Sequence, residues 1–113
     1  MNKLVRDNIP EIVKAEGRTI KYREIQGKEL IIALATKLIE ESQEVLDAVH
    51  SGDGTNLIEE LGDLMDVYNA FLHESNITQS RVRGIALYKT LDKGGFEKGI
   101  FVEELEKWKP KIE

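Results

Sequence analysis

The sequence contains no cysteine, which excludes disulfide bonds and thiolate metal sites and leaves oxygen ligands or two histidines for any metal. It also lacks a long apolar run, and its longest is too short for a membrane-spanning helix. The opening stretch, MNKLVRDNIPEI, carries charges where a signal peptide needs an apolar segment. We therefore expect a cytoplasmic protein that does not interact with membranes.

The sequence has fewer basic than acidic residues, 16 Lys and Arg compared with 21 Asp and Glu, which gives a formal net charge of -5. Binding to a nucleic acid polymer needs a dense cationic face, so this balance argues against such a partner. A small phosphate-bearing ligand would instead need a metal ion. The 113 residues, 41% of them hydrophobic, are enough for a core, and we predict a single domain over residues 1–113.

Proline is nearly absent between the two ends, since Pro10 and Pro110 are the only two in the chain. Long helices are therefore allowed through the middle, and the spacing of apolar residues has a helical period there. Glycines separate the segments. The pattern predicts four helices, over residues 9–16, 28–50, 56–74 and 78–92. A short turn at 51–54 makes the two long helices antiparallel neighbours.

Some features of the two ends are also predicted. Residues 19–25 alternate imperfectly with β-branched and aromatic side chains, which suggests a short strand that pairs with residues 99–102. Asn76 or Thr78 would cap the last helix at its N-terminus. Four residues of that helix are expected to face inward: Val82, Ile85, Ala86 and Lys89.

Acidic residues interrupt the apolar stripe of the first long helix. At about 100° per residue, Glu41 falls on the same side as Leu38 and Val45. Glu44 and Lys37 lie at one border of this stripe. A charged acid between two core-facing residues is not explained by a solvated helix face.

A second pair of acids follows in the next helix, where Glu60 and Asp63 lie three residues apart and leave the same side. Two antiparallel helices would thus bring Glu41, Glu44, Glu60 and Asp63 toward one seam. Mutual repulsion and desolvation make such a group unfavourable without protons or a cation. Carboxylate ligands suit Mg²⁺, and Mn²⁺ is a suitable substitute.

A simpler interpretation of these acids stays open. In a chain with 33% charged residues, a run such as EExxE is usually a solvated face with lysine partners. Lys37 has an equally simple role in this interpretation, as an i, i+4 ion pair with Glu41. The protein would then be a non-catalytic helical dimerisation module, with its acids in water or on a structural cation.

Two motifs resemble those of a known family. The run KLIEESQEV at 37–45, followed by EELGDL at 59–64, resembles the EExxE and ExxD motifs of the MazG-like nucleoside triphosphate pyrophosphohydrolases. The stretches KLVRDNIP at 3–10 and KGGF at 93–96 are similar to a single-domain branch related to phosphoribosyl-ATP pyrophosphohydrolase. The resemblance implies an all-α, antiparallel helical bundle that is completed by homo-oligomerisation, as a homodimer or homotetramer.

The resemblance also implies an activity. Such enzymes use Mg²⁺ to hydrolyse the bond between the α- and β-phosphates of a nucleoside triphosphate, which yields the monophosphate and pyrophosphate. The substrate can be a non-standard nucleotide, in which case the enzyme has a house-cleaning role. Phosphoribosyl-ATP is the alternative substrate.

Residue roles carry over from the matching motif positions. Glu41 and Glu44 match the metal-binding acids of the first motif, and Glu60 and Asp63 match those of the second. We expect Glu41 or Glu44 to act as the general base. Lys37 matches a frequent lysine one turn earlier, where it would screen phosphate charge.

Weaker matches lie nearer the two ends of the chain. Lys89 is similar to a late lysine that contacts phosphates in the family, and Lys93 lies where a basic residue often precedes the GGF segment. We predict substrate contacts for both. Arg6 is interpreted as a surface residue, with a phosphate ligand as the alternative, and Trp108 as a packing residue of the C-terminal segment.

Overall fold

Four α-helices make up the regular structure of the protein. The computed structural model describes residues 2–106 and divides them into two compact units, the first ending at Gln79 and the second beginning at Ser80. The helices are α1 (Ile9–Ala15), α2 (Gly27–Ser51), α3 (Gly54–Glu74) and α4 (Gln79–Lys93). No strand occurs among residues 2–106, so the predicted all-α class is confirmed. Trp108 lies outside the described residues.

The predicted strand pair is wrong. Residues 19–25 and 99–102 contain no strand. Side chains of the first segment make other contacts, since Arg23 pairs with Glu29 at the start of α2 and the Lys14 ammonium lies 5.4 Å from the centre of the Tyr22 ring. Without a partner to complete a backbone ladder, β-branched composition alone does not form a strand.

The turn between α2 and α3 follows the prediction closely. Gly52 ends α2 in the left-handed conformation, with φ of 74°, and its N–H donates to the carbonyl of Val49 at 3.3 Å. Asp53 caps α3, because its carboxylate accepts from the Asn56 N–H at 3.1 Å. So short a turn reverses the chain, and α2 and α3 pack against each other as antiparallel neighbours.

The core of the described chain is small. Its buried apolar side chains are Leu34, Ala48, Val67 and Leu72, and Glu41 is buried with them. Many large apolar side chains on the same two helices stay exposed, among them Ile32, Ile39, Leu46, Val49, Ile58, Leu61 and Met65. The helix pair therefore leaves much of its apolar surface uncovered.

The end of α3 differs from the prediction for Asn76. This residue has a left-handed backbone, with φ of 56°, and it terminates α3 rather than capping α4. The Asn76 N–H donates to the His73 carbonyl at 3.2 Å, and the Ile77 N–H donates to the Leu72 carbonyl at 3.0 Å. These two bonds form a Schellman motif, in which asparagine takes the place that glycine usually has.

The inward face predicted for α4 is not buried in this chain. Val82 is half-buried, but Ile85 is 67% exposed, and Ala86 and Lys89 are exposed as well. Helical periodicity identifies the apolar side of a helix but not the element that packs against it.

None of the helices within residues 2–106 combines the length and apolarity that crossing a membrane requires.

Candidate metal centre

Three carboxylates from two helices converge on one point. Glu41 on α2 and Glu60 and Asp63 on α3 each offer one oxygen, and these three oxygens lie within 4.8 Å of one another. The spacing of three residues places Glu60 and Asp63 on one side of α3, and the short turn brings α2 alongside. We call these three residues the carboxylate triad.

Glu41 is the most buried member of the triad, with 7% of its surface exposed. Its Oε1 lies 3.7 Å from the Lys37 Nζ, whereas its Oε2 is buried and has no hydrogen-bond partner among the described residues. Burial raises the pKa of Glu41, and the nearby charge of Glu44 raises it further, against the opposing effect of Lys37. A buried carboxylate oxygen without a donor is suited to a cation.

Glu60 has the same deficiency, because its Oε2 is also buried without a hydrogen-bond partner in the described part of the chain. A hydrogen bond with the carboxyl group of Glu44, together with desolvation and the charges of Glu44, Asp63 and Glu41, raises the pKa of Glu60 to about 7. Such a bond requires one of the two carboxyl groups to carry a proton.

Glu44 lies beside the triad. It is exposed on α2, and its carboxyl group interacts with both Glu60 and Glu41, although it is not one of the three converging oxygens. The structure thus brings three of the four predicted acids together and places the fourth beside them. A role for Glu44 as a metal ligand stays a prediction.

Lys37 borders the triad on the α2 side. Its side chain is 17% exposed, and its Nζ lies 3.8 Å from Glu40 Oε2 as well as near Glu41. The ammonium group balances part of the negative charge at the buried end of the site. Ion pairing with Glu41 and screening of a phosphate remain compatible roles for this residue.

Arg6 provides a second cation at the triad, which the sequence did not reveal. Its guanidinium donates to Asp63 Oδ1 at 2.7 Å and to Asp66 Oδ2 at 3.0 Å. Arg6 is 58% exposed, so its interpretation as a surface residue fits, but its partner Asp63 is a triad member. The sequence offered two signals for this contact, a basic residue within KLVRDNIP and two aspartates spaced i, i+3. Arg6 and Asp63 are separated by 57 residues in the chain.

Lys89 and Lys93 are both exposed on α4, which lies almost entirely in the second unit, whereas the triad belongs to the first. The geometry of the first unit therefore does not test them. Their predicted contacts with substrate stay predictions.

The chemistry of the site follows from its donors. Three carboxylates supply hard oxygen ligands, and Glu41 and Glu60 each have one buried oxygen without a hydrogen-bond partner in the described part of the chain. Hard divalent cations prefer such ligands, and a cation would relieve the repulsion among the carboxylates that contributes to the raised pKa of Glu60. The residues present therefore fit a divalent metal ion.

Comparison with known proteins gives one family. No curated protein and no solved structure matches the chain. A family model described as the MazG nucleotide pyrophosphohydrolase domain matches residues 31–87, about half of the chain. The matched region contains Lys37 and all three triad residues. The chain belongs to the MazG family, whose members are nucleotide pyrophosphohydrolases, and it is a hydrolase with a nucleotide substrate.

Proposed function

We propose that this pyrophosphohydrolase depends on Mg²⁺, or on Mn²⁺ as a substitute, and cleaves the α–β phosphate bond of a nucleoside triphosphate. Non-standard nucleotides are among the proposed substrates, which makes the enzyme a house-cleaning hydrolase. The observation that supports this proposal best is the convergence of carboxylate oxygens from Glu41, Glu60 and Asp63. Two of these residues, Glu41 and Glu60, also have a buried oxygen with no hydrogen-bond partner among residues 2–106.

The proposed ligands are Glu41, Glu60 and Asp63, with Glu44 next to them as a fourth acid. A divalent ion bound there would supply positive charge for the phosphate oxygens and would acidify an attacking water. The burial of Glu41 supports this assignment, because an ionised acid in an apolar stripe is unfavourable unless a cation compensates it.

Glu44 is the better placed of the two candidates for general base. It is exposed and lies outside the triad, so it need not be committed to a metal. Ionised Glu44 would accept a proton from water as the water oxygen forms a bond to phosphorus. The bond between the α-phosphorus and the oxygen that bridges to the β-phosphate then breaks, and pyrophosphate leaves with the electron pair of that bond.

The cationic side chains have separate proposed roles. Lys37 is held beside Glu41 and would offset the charge of the phosphates or of the leaving group. Lys89 and Lys93 are proposed to contact the substrate from α4. The positive charge of these three lysines would lower the repulsion between an acidic site and an anionic nucleotide.

We further propose that the chain works as a homodimer or homotetramer. An open apolar groove of about 330 Å³ is lined by Leu38, Leu61, Leu64, Met65 and Tyr68. Exposed apolar side chains on both long helices extend this surface. One chain has only a small buried core. Burying this apolar surface against a second copy of the chain would enlarge the total buried apolar area.

Activity assays with and without Mg²⁺ test the proposed function. The substrates would be standard, deoxy and damaged nucleoside triphosphates and phosphoribosyl-ATP, with pyrophosphate and phosphate release measured separately. We expect Mg²⁺-dependent release of pyrophosphate from at least one nucleoside triphosphate. Cleavage of phosphoribosyl-ATP alone would assign the alternative substrate.

Variants of the triad complete this test. Glu41→Gln and Asp63→Asn should each lower turnover at least about a hundredfold. Removing a metal ligand should lower activity more than removing a residue that only hydrogen-bonds to a ligand. Asp47→Asn is the matched control, an exposed acid on α2 that accepts from Gln43 at 2.9 Å. Undiminished turnover in both triad variants would contradict the proposal. A chain inactive on every substrate would favour a helical dimerisation module.

A further inference from the structure

Arg6 links the N-terminal segment to the carboxylate triad. One arm of its guanidinium donates to Asp63 Oδ1 at 2.7 Å, and the other donates to Asp66 Oδ2 at 3.0 Å. The two aspartates lie three residues apart on α3, so a single planar guanidinium spans both of them. Asp63 is thereby held through one of its two carboxylate oxygens.

The backbone of Arg6 is fixed as well. Its carbonyl accepts from the Ile9 N–H at 3.1 Å, in the turn that leads directly into α1. Leu4 and Val5, the two residues before it, are half-buried. The guanidinium therefore extends from an anchored segment, rather than from a loose chain end.

We propose that Arg6 is a positioning residue for the metal centre, which it serves by holding Asp63 so that the second carboxylate oxygen is available to the ion. This inference rests on the proposed metal dependence. It extends the site beyond α2 and α3 to a segment outside residues 31–87, the region that matches the family.

The bond to Asp63 distinguishes this contact from an ordinary surface ion pair. Exposed ion pairs usually contribute little to stability, and on stability alone Arg6 would be unimportant. Ligating carboxylates, in contrast, depend on hydrogen bonds from neighbouring residues to fix their orientation. Arg6 can do this while it stabilises an aspartate that shares the site with Glu41 and Glu60.

Measuring Mn²⁺ binding tests the proposal without any assay of activity. Electron paramagnetic resonance reports binding as a decrease in the signal of free Mn²⁺. We expect Arg6→Ala to weaken Mn²⁺ binding about tenfold. Arg6→Lys should recover part of this loss, because an ammonium group can contact Asp63 but cannot span both aspartates. Circular dichroism establishes that each variant is folded, and if Arg6→Ala is not, Arg6→Lys and Arg6→Gln carry the comparison.

Arg23→Ala is the matched control. Arg23 makes a forked pair with Glu29 that is also exposed, and Glu29 lies about 18 Å before Glu41 along α2. This variant loses a comparable surface ion pair and should bind Mn²⁺ as the unaltered protein does. A decrease equal to that of Arg6→Ala would overturn the proposal.

A double-mutant cycle tests whether Arg6 acts through Asp63. In the Asp63→Asn protein, adding Arg6→Ala should leave the residual Mn²⁺ affinity unchanged. An equal loss in both backgrounds would show that Arg6 acts independently of Asp63 and would overturn the inference. So would Mn²⁺ binding by Arg6→Ala that is unchanged, or tighter because a repelling positive charge has gone.

The outcomes also separate this inference from the proposed function. If the unaltered protein does not bind Mn²⁺, both are wrong. If it binds Mn²⁺ and Arg6→Ala binds equally well, only the role of Arg6 is wrong, and the metal-dependent hydrolase stands.

Discussion

The position of Glu41 is unfavourable for folding when its carboxylate is ionised, but it is favourable for binding a metal ion. Its carboxylate is buried on α2, one oxygen has no hydrogen-bond partner among residues 2–106, and Lys37 approaches the other only to 3.7 Å. An acid so placed opposes folding when it is ionised, since burial raises its pKa. A bound cation would reverse that penalty.

Replacing Glu41 with glutamine should therefore stabilise the protein in the absence of metal. Glu41→Gln removes the buried charge and keeps the shape, and we expect the free energy of unfolding at pH 7.5 to rise by about 1 kcal/mol. Urea denaturation in the presence of a chelator measures this change, with Asp47→Asn as the unaffected control. A fall in the free energy of unfolding would show that the ionised carboxylate is already compensated within the protein.

The raised pKa of Glu60 predicts how stability depends on pH. Between its ordinary value of 4.5 and its folded value of about 7, the folded protein binds more protons at this group than the unfolded chain does. Stability without metal should therefore fall as pH rises from 4.5 through 7. We expect a lower melting temperature at pH 7.5 than at pH 5.5, with the difference reduced in Glu60→Gln.

Glu59→Gln is the control for this dependence, because Glu59 neighbours Glu60 on α3 but is exposed. It should keep the full pH dependence. If Glu60→Gln keeps the full pH dependence as well, the raised pKa of Glu60 is not its source.

Single residues were predictable where they violated a local pattern. Glu41 could be identified because it interrupts an apolar period within its own helix. The Arg6–Asp63 bond could not, since 57 residues separate the partners and nothing local encodes their contact. The bond between Glu44 and Glu60 depends on how α2 and α3 are aligned, which an angular position on each helix does not specify.

At the scale of elements, helices were predictable and the strand was not. Apolar periodicity, Gly52 and Asp53 carry local information about α2, α3 and their turn, and the structure follows them to within a few residues. A strand needs a partner elsewhere in the chain, and residues 19–25 have no paired strand in the described chain. Asn76 was misassigned because the same residue type serves both helix starts and left-handed helix ends.

The turn between α2 and α3 is the element on which the triad depends. Gly52→Ala should lower the free energy of unfolding by about 1 kcal/mol, because a Cβ is disfavoured at φ of 74° even though no atom lies within 4 Å of it. Gly52→Asn is the matched variant and should lose less, since asparagine tolerates this conformation. Equal losses measured by urea denaturation would mean that backbone conformation is not the cause.

At the scale of the whole molecule, the chain buries little for its apolar content. Within the part of the chain that the structure describes, four buried apolar residues contrast with many exposed ones on α2 and α3, and a groove of about 330 Å³ lies open between the two helices. An apolar surface can be predicted from sequence, but its partner cannot. A single domain over residues 1–113 also stays a prediction, because the described residues divide into two units.

Met65→Glu tests the proposed homo-oligomer. Met65 is 58% exposed and lines the groove, so a charge there should be tolerated by one chain but not at a buried interface. We expect sedimentation analysis at micromolar concentration to show an oligomer for the unaltered protein and a monomer for the variant. Ile12→Glu, at an exposed apolar position on α1 outside the groove, is the control. A monomeric unaltered protein would contradict the proposal.

The proposed hydrolase requires Glu41, Glu60 and Asp63 to hold a divalent ion together. Anomalous X-ray diffraction from crystals grown with Mn²⁺ tests it most directly. We expect a manganese peak bonded to one or more oxygens of each of these three residues, at roughly 2.1 Å. Manganese bound elsewhere, or a triad that contains none while Mn²⁺ is present in excess, would contradict it.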